Sequence, residues 1–265
     1  MTSDRKVLFF DVDGTLVSES KNIVPDSSVD ALTRAMERGH LVFVNSGRPR
    51  CELRFLEETV PADGFLCGCG TRIVVHGESR FHRSISVERG RQIRQLILDC
   101  GMDAWLEASD RVCFRENPPV VLPRIAPVRE NMMRKYSDLM SSWEDPDCVF
   151  DKCCVVMDEN SDLERFYRGM YDMDVIDRGD GMLECVPADC SKATAMEWVL
   201  REYGVPRESA YVFGDSTNDI PMFEFAPNRI AMGVHAPELE QFNPFITKTV
   251  EEGGEAWAME QLGII

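Results

Sequence analysis

Two carboxylates stand two residues apart at Asp11 and Asp13, in the string Asp-Val-Asp-Gly-Thr-Leu over 11–16. Buried and unpaired they would repel each other, and a bound cation offsets that repulsion. Hard divalent ions such as Mg2+ take carboxylate and carbonyl oxygens. Gly14 lets the chain turn sharply, so that both acids and the adjacent amides face one point. One acid of such a pair can be a nucleophile and the other a proton donor. Three further clusters carry related chemistry. Asn45-Ser46-Gly47-Arg48 offers a hydroxyl, a glycine N–H and a guanidinium ahead of an expected helix, the makings of a phosphate-binding corner. Lys192 falls at the start of another expected helix, where its charge opposes the helix dipole unless an anion sits in front of it. Gly214-Asp215-Ser216-Thr217-Asn218-Asp219 supplies Asp215 as a metal ligand; Asp219 can hold a metal-bound water, steer Lys192 or cap a helix. Taken singly, Ser46-Gly47 reads as a turn and Lys192 as a solvated lysine.

The elements that must position these residues follow from the apolar pattern. Lys6–Phe10 and His40–Val44 read as buried parallel strands, with a helix from Asp26, as its cap, to Arg38, stopped by Gly39. A helix is expected near Pro49–Glu58, and short strands at Gly64–Leu66 and Arg72–Val75. Strand alternating with helix is the pattern of a doubly wound α/β sheet, in which sites form at the carboxyl ends of the strands. From about Phe81 to Glu184 the order changes to strand, helix, two strands, helix, strand, helix, two strands. Within it, Ser86–Asp99 and Val128–Ser142 are expected helices, Ala104–Glu107 and Arg111–Arg115 a hairpin, and Val149–Met157 a strand. Pro118, Pro119, Pro123 and Pro127 form a stiff connection. The α/β rhythm resumes with a helix over Ser191–Tyr203 stopped by Gly204, a strand at Ala210–Phe213, a short helix at Asp219–Phe225 and a last strand at Arg229–Met232. The expected fold is therefore α/β, a Rossmann-like doubly wound parallel sheet core over 1–80 and 184–265, with an inserted α+β domain over 81–183.

Composition narrows the partners. Of 265 residues, 46 are acidic and 29 basic, a formal net charge of −17, which disfavours nucleic acid and anionic membrane surfaces. A small anionic substrate remains compatible, because a local pocket can be positive. No apolar run approaches the roughly 20 residues of a membrane span. The start, Met-Thr-Ser-Asp-Arg-Lys, does not read as a secretory signal, so a cytoplasmic location is expected, with the ten cysteines reduced. Cys67/Cys69 and Cys153/Cys154 are the tightest pairs and lack zinc-site spacing, so buried inert thiols are expected.

In this order, the four clusters resemble the haloacid dehalogenase superfamily of phosphohydrolases, and most of all its Cof-type branch with a large cap between the second and third motifs. The residues that carry the resemblance are Asp-Val-Asp-Gly-Thr-Leu at 11–16, Asn-Ser-Gly-Arg at 45–48, Lys192 and Gly-Asp-Ser-Thr-Asn-Asp-Ile-Pro-Met at 214–222. Ile230-Ala-Met-Gly233 and Thr249-Val-Glu-Glu-Gly253 look like the closing segment. The resemblance implies Asp11 as nucleophile, forming an aspartyl-phosphate, and Asp13 as acid and then base. It implies Mg2+ held by Asp11, the Asp13 carbonyl and Asp215. Ser46, Gly47, Lys192 and Asn218 would bind the phosphoryl oxygens, with Asp219 and Arg48 behind them. Two loops depart from the branch: Cys69-Gly70-Thr71 replaces Asn-Gly-Ala, and Val234-His235-Ala236 replaces Asn-Ala.

The expected activity is Mg2+-dependent hydrolysis of a small cytosolic phosphomonoester, with sugar phosphates foremost by analogy. Trp105, Arg111, Arg115 and Arg178 are candidate specificity residues in the cap. A phosphomannomutase-like phosphomutase shares the opening motif, and a non-catalytic phosphometabolite-binding regulator would keep the fold. Carbon–halogen hydrolysis would need neither Asp13 nor the metal ligands. A monomer or homodimer is expected.

Overall fold

Val7–Phe10 forms strand β1, every side chain fully buried, in a computed structural model that describes residues 5–18, 20–21, 23–116 and 122–265. Helix α1 (Asp26–Glu37), β2 (Leu41–Asn45), α2 (Arg54–Thr59), β3 (Gly64–Cys67), β4 (Arg72–Val75) and β5 (Glu78–His82) follow. The middle of the chain makes α3 (Val87–Asp99), β6 (Asp103–Glu107), β7 (Val112–Phe114), α4 (Ile125–Tyr136), β8 (Met140–Ser142), β9 (Lys152–Val156), α5 (Leu163–Gly169), β10 (Met173–Asp177) and β11 (Met182–Pro187). The last part makes α6 (Lys192–Tyr203), β12 (Ala210–Gly214), α7 (Ile220–Phe225), β13 (Asn228–Ala231), β14 (Phe245–Ile246) and α8 (Gly254–Gln261).

Two sheets result. The first has the order β14-β13-β12-β1-β2-β3-β4-β5, parallel from β14 to β3 and antiparallel between β3 and β4. Both its faces are covered, which is why β1 is apolar at every position. Leu8 and Phe10 pack with Leu32, Ala35, Ala258 and Met259 of α1 and α8; Val7 and Phe9 pack with Met196, Val199 and Phe223 of α6 and α7. The chain leaves β1 for β2 on one side and reaches β12 on the other. The carboxyl ends of β1, β2 and β12 therefore lie side by side at a topological switch point. The second sheet has the order β10-β11-β9-β6-β7-β8 and is antiparallel except between β7 and β8. It has its own core, with Ile93, Ile97 and Phe166 against Leu106, Cys153 and Leu183.

The contacts divide the chain into two units: one runs to Arg48 and includes Leu53–Phe81 and Ser191–Ile265, and the other comprises Pro49–Glu52 and His82–Cys190. The structure moves the expected second boundary from 184 to 191. Glu184 lies inside β11, because its strand pairs with β9 and β10 rather than leading into α6. The first boundary falls between Phe81 and His82.

Several elements differ from expectation. The cap position of α1 is Pro25 with no side-chain bond, and Asp26 is the first helical residue. The helix expected over 128–142 spans 125–136, and its last residues instead form a 3-10 turn and the edge strand β8. Pro127 lies in the first turn of α4, where its missing N–H has no helical partner to lose. Pro118 and Pro119 lie outside the described residues. The strand β14 and helix α8 have no counterpart in the sequence reading; α8 is short, begins at Gly254 and carries little amphipathic contrast. All ten cysteines are buried, and none of them forms a disulfide. Among the described residues no helix is long and apolar enough to cross a membrane.

One core residue gives the fold a pH dependence. Glu255 of α8 is fully buried; its Oε1 accepts from Ser28 Oγ at 3.1 Å, and its Oε2 has no partner. Burial pushes its carboxyl from 4.5 up to about 7. Below 4.5 the group is neutral in both folded and unfolded chains and costs nothing. Between 4.5 and about 7 the unfolded chain ionises while the folded chain holds its proton, so stability falls as pH rises. The cost levels off above pH 7 at roughly 3 kcal/mol. Glu255→Gln removes that slope: in urea denaturation its stability relative to wild type should rise between pH 5 and pH 8.

Candidate active site

Asp11 follows β1 directly, and its amide donates to Phe213 O of β12 at 3.0 Å, so its position is fixed by the sheet. Lys192, the first residue of α6, is 1% exposed, an exceptional burial for a lysine. Its Nζ donates to Asp11 Oδ1 at 2.6 Å, Asp219 Oδ1 at 2.6 Å and Asn218 Oδ1 at 3.2 Å. The helix dipole that disfavours a cation at this end is outweighed by these two carboxylates. Burial alone would lower the lysine's pKa, but Asp11 and Asp219 hold it above its ordinary value. Ser191 caps the helix through Thr194 N at 3.1 Å in a reciprocal capping box.

Asp219 plays two structural parts at once. Its Oδ2 accepts from the amides of Asp215 at 2.9 Å and Ser216 at 3.1 Å, closing the turn after β12, and its Oδ1 faces Lys192. Of the three roles open to it, the structure gives it the steering of Lys192 and the capping of the turn. Asp215 emerges from β12, and its Oδ1 accepts from Thr15 Oγ1 at 2.9 Å. Oxygens of Asp11, Asp215 and Asp219 all lie within 4.8 Å of one another. Burial, then the charge of its neighbours, pushes Asp11 up to about 7 and Asp215 up to about 8. A cluster of hard oxygen donors with this mutual repulsion fits a divalent cation. Asp219, with both oxygens taken, is the least available of the three. Asp11 and Asp215 are the pair that would hold the ion.

Two glycines make room for the acids. A Cβ on Gly14, at φ +77°, would lie 2.5 Å from Asp215 Oδ2, and one on Gly214 would lie 2.6 Å from Asp219 Oδ2. Ser46 and Gly47 follow β2. Ser46 Oγ accepts from Arg48 N at 3.1 Å. Asn45 ties the end of β2 to the first turn of α6, with Nδ2 donating to Lys192 O at 3.0 Å.

Asp13 stands slightly apart from the buried cluster. Its half-exposed carboxyl receives Arg48 through both of its oxygens, at 2.8 Å from Nε and 2.5 Å from Nη2. This bidentate pairing is what turns Arg48 from a neighbour of the site into a partner of Asp13. Sequence reasoning missed the pairing, since nothing in the spacing of 13 and 48 signals it. It also missed Thr15, although that residue lies inside the first motif. The two departing loops are both internally bonded. Cys69 sits buried at φ +54°, and a Cβ on Gly70 would lie 2.3 Å from Ser191 O, so this loop seats the cap of α6. His235 Nδ1 meets Met232 O at 2.6 Å within its own loop.

The site residues Asp11, Asp13, Ser46, Gly47, Arg48, Lys192, Asp215, Asn218 and Asp219 all belong to the first unit. A doubly wound core with an acidic cluster and a buried lysine at its switch point defines a class, and comparison with known proteins gives its family. Residues 8–259 match the haloacid dehalogenase-like hydrolases, and the chain belongs to that family. It is 26% identical over 263 residues to YkrA of Bacillus subtilis, covering 99% of each chain. It is 24% identical to the 5-amino-6-(5-phospho-D-ribitylamino)uracil phosphatase YwtE of the same organism, covering 97% of this chain and 98% of that one. The phosphatase BT1666 of Bacteroides thetaiotaomicron superposes with a TM-score of 0.85 at 25% identity, covering 99% of this chain and 97% of that one.

The buried triad is also a stability element. Removing one partner of a buried ion pair leaves uncompensated charge and costs about 3 kcal/mol or more. Lys192→Met should therefore lower the unfolding free energy by about 3 kcal/mol at pH 7 in metal-free urea denaturation. A loss under about 1 kcal/mol would show that the carboxylates do not depend on the lysine.

Proposed function

We propose that this haloacid dehalogenase-type phosphatase hydrolyses a small phosphomonoester, with a sugar or sugar-derived phosphate as its substrate class, through an aspartyl-phosphate on Asp11 and with Mg2+ as cofactor. The observation that carries the reading is the convergence of Asp11, Asp215 and Lys192 at the carboxyl ends of neighbouring strands. Phosphoryl transfer needs alignment and neutralisation of charge more than covalent versatility. On a chain of net charge −17, Lys192 and a cation between Asp11 and Asp215 supply the positive charge locally. YwtE acts, by its name, on a phosphate carried by a ribityl chain, a substrate of the proposed class.

In this reading an oxygen of Asp11 attacks phosphorus, and the bond to the leaving oxygen breaks. Asp13 gives that oxygen its proton. A water then attacks the phosphorus of the aspartyl-phosphate while Asp13 takes the water's proton, and the bond to Asp11 breaks to release phosphate. Lys192, Ser46, the Gly47 amide and Asn218 hold the phosphoryl oxygens. Mg2+, when bound by Asp11, Asp215 and the Asp13 carbonyl, supplies a Lewis acid for phosphoryl charge. Asp219 keeps Lys192 in place. Arg48 holds Asp13 through both oxygens, and Asp13 exchanges this pairing for the reacting oxygens when substrate binds. The inserted unit, which has its own sheet and core and contributes none of these residues, is the part free to vary for leaving-group selection.

Phosphate release from a panel of phosphorylated metabolites, with Mg2+ and with chelator, tests the reading. Wild type should release phosphate only with metal, and Asp11→Asn should lose at least about a thousandfold in kcat. Asp215→Asn should retain the fold and require a higher Mg2+ concentration for half-maximal rate. Metal-independent turnover, or appreciable activity in Asp11→Asn, would remove the covalent mechanism.

A further inference from the structure

The segment that carries Asp13 is a tight turn followed by a narrow hairpin. Val12 O accepts from the amides of Leu16 at 2.9 Å and Val17 at 2.8 Å, and Gly14 N donates to Val17 O at 3.1 Å. The chain then folds back, with Ser18 bridged to Ile23 and Ser18 N donating to Ile23 O at 2.9 Å. The side chains of Ser18 and Ser20 attach this hairpin to another part of the fold. Ser18 Oγ donates to Glu251 Oε1 at 2.6 Å, and Ser20 Oγ donates to the same oxygen at 3.0 Å. Ser18 is 1% exposed and also receives Lys21 N at 3.1 Å, so its hydroxyl is committed to the hairpin on one side and to Glu251 on the other.

Glu251 is presented by a rigid loop. Thr249 and Glu252 form a reciprocal capping box, and Gly253 ends the turn at φ +70°. Gly254 then passes so close to Lys248 O that a Cβ would lie 2.2 Å from it. The capping box uses Glu252, which leaves Glu251 to reach across to residues more than 230 positions earlier in the chain. A cavity of about 420 Å³ lined by Gly14, Ser20, Asp215, Thr249 and Glu251 separates this contact from the acidic cluster, so Glu251 does not itself belong to the cluster.

We infer that Glu251 is a positioning residue for Asp13: by receiving both serine hydroxyls on one oxygen, it fixes the far end of the turn whose near end sets the acid–base group. This rests on the reading of Asp13 as acid and base. Asp11 is anchored outside this hairpin, its amide donating to Phe213 O of β12, and Asp215 follows β12 directly. The contact needs an acceptor rather than a charge, because both donors use Oε1.

Glu251→Ala and Glu251→Gln, in the full chain, separate the possibilities. In Glu251→Ala, kcat for a phosphomonoester should fall about tenfold while KM stays within about twofold, and amide exchange should quicken over residues 14–18. Glu251→Gln, whose amide oxygen accepts the same two bonds, should restore wild-type rate and protection. Equal impairment of both variants would replace the latch with a role for charge, and unchanged exchange in Glu251→Ala would overturn the inference outright. Ser18→Ala should reproduce the exchange effect with Glu251 intact. Quickened exchange in a protein whose wild type releases no phosphate would keep the latch and refute the proposed function, so the two fail separately.

Discussion

The charge compensation between Lys192 and the carboxylates of Asp11 and Asp219 is the constraint on which the rest of the structure depends. Three ionisable side chains are removed from water at one point, and the lysine's charge there is tolerable only because the carboxylates face it. The lysine must therefore be at the very start of α6, from where its buried Nζ reaches Asp11 and Asp219. Asp219 must be four residues beyond Asp215, so that the turn after β12 brings one oxygen to the lysine and the other to the backbone amides of 215 and 216. The loop at 68–71 must let Gly70 approach Ser191 closely enough to seat the helix cap. Each is a local requirement, and each serves the same buried cation.

The arrangement leaves the acids in graded environments. Asp219 has both oxygens occupied and acts through Lys192. Asp11 and Asp215 are crowded and pushed towards neutrality by burial and by each other, which is the condition a divalent ion relieves. Asp13 is half-exposed and paired with a guanidinium, outside that crowding. One string of six residues thus supplies two carboxylates with different surroundings. The inserted unit has a polar cluster of its own. Lys152 pairs with Glu107 at 2.8 Å and Glu184 at 2.5 Å, and Arg178 also pairs with Glu184. Of the four specificity candidates there, Trp105 donates to Glu107 at 2.8 Å, Arg178 is held by Glu184 and Arg115 lies 3.4 Å from the buried Asp103. These side chains have structural partners within the unit.

Much of the site was legible because its residues sit where strands end. An apolar run terminating in an aspartate marks the carboxyl end of a buried strand, and in a parallel sheet such ends share one edge. β1, β2 and β12 could be read this way, as could α6, whose cap and stop at Ser191 and Gly204 are local signals. Elements lacking a local signal were not legible. The edge strands β8 and β14 are three and two residues long, and α8 opens on glycine, so their conformations come from packing against neighbours. The boundary at 191 was obscured because β11 is buried like a core strand and only its pairing tells which sheet it joins.

Residue type and spacing alone determined that this chain holds two acid pairs, a Ser-Gly turn after a buried strand and a lysine at a helix start. They also determined that an α/β core is interrupted by an insertion of different rhythm. The tertiary structure decided what each charge faces: Lys192 between two carboxylates, Arg48 on Asp13, Thr15 on Asp215 and Glu251 on Ser18. These pairings join residues from 27 to 233 positions apart. Backbone periodicity reports only on neighbours along the chain, whereas partner choice is set by which strand ends the sheet order places side by side.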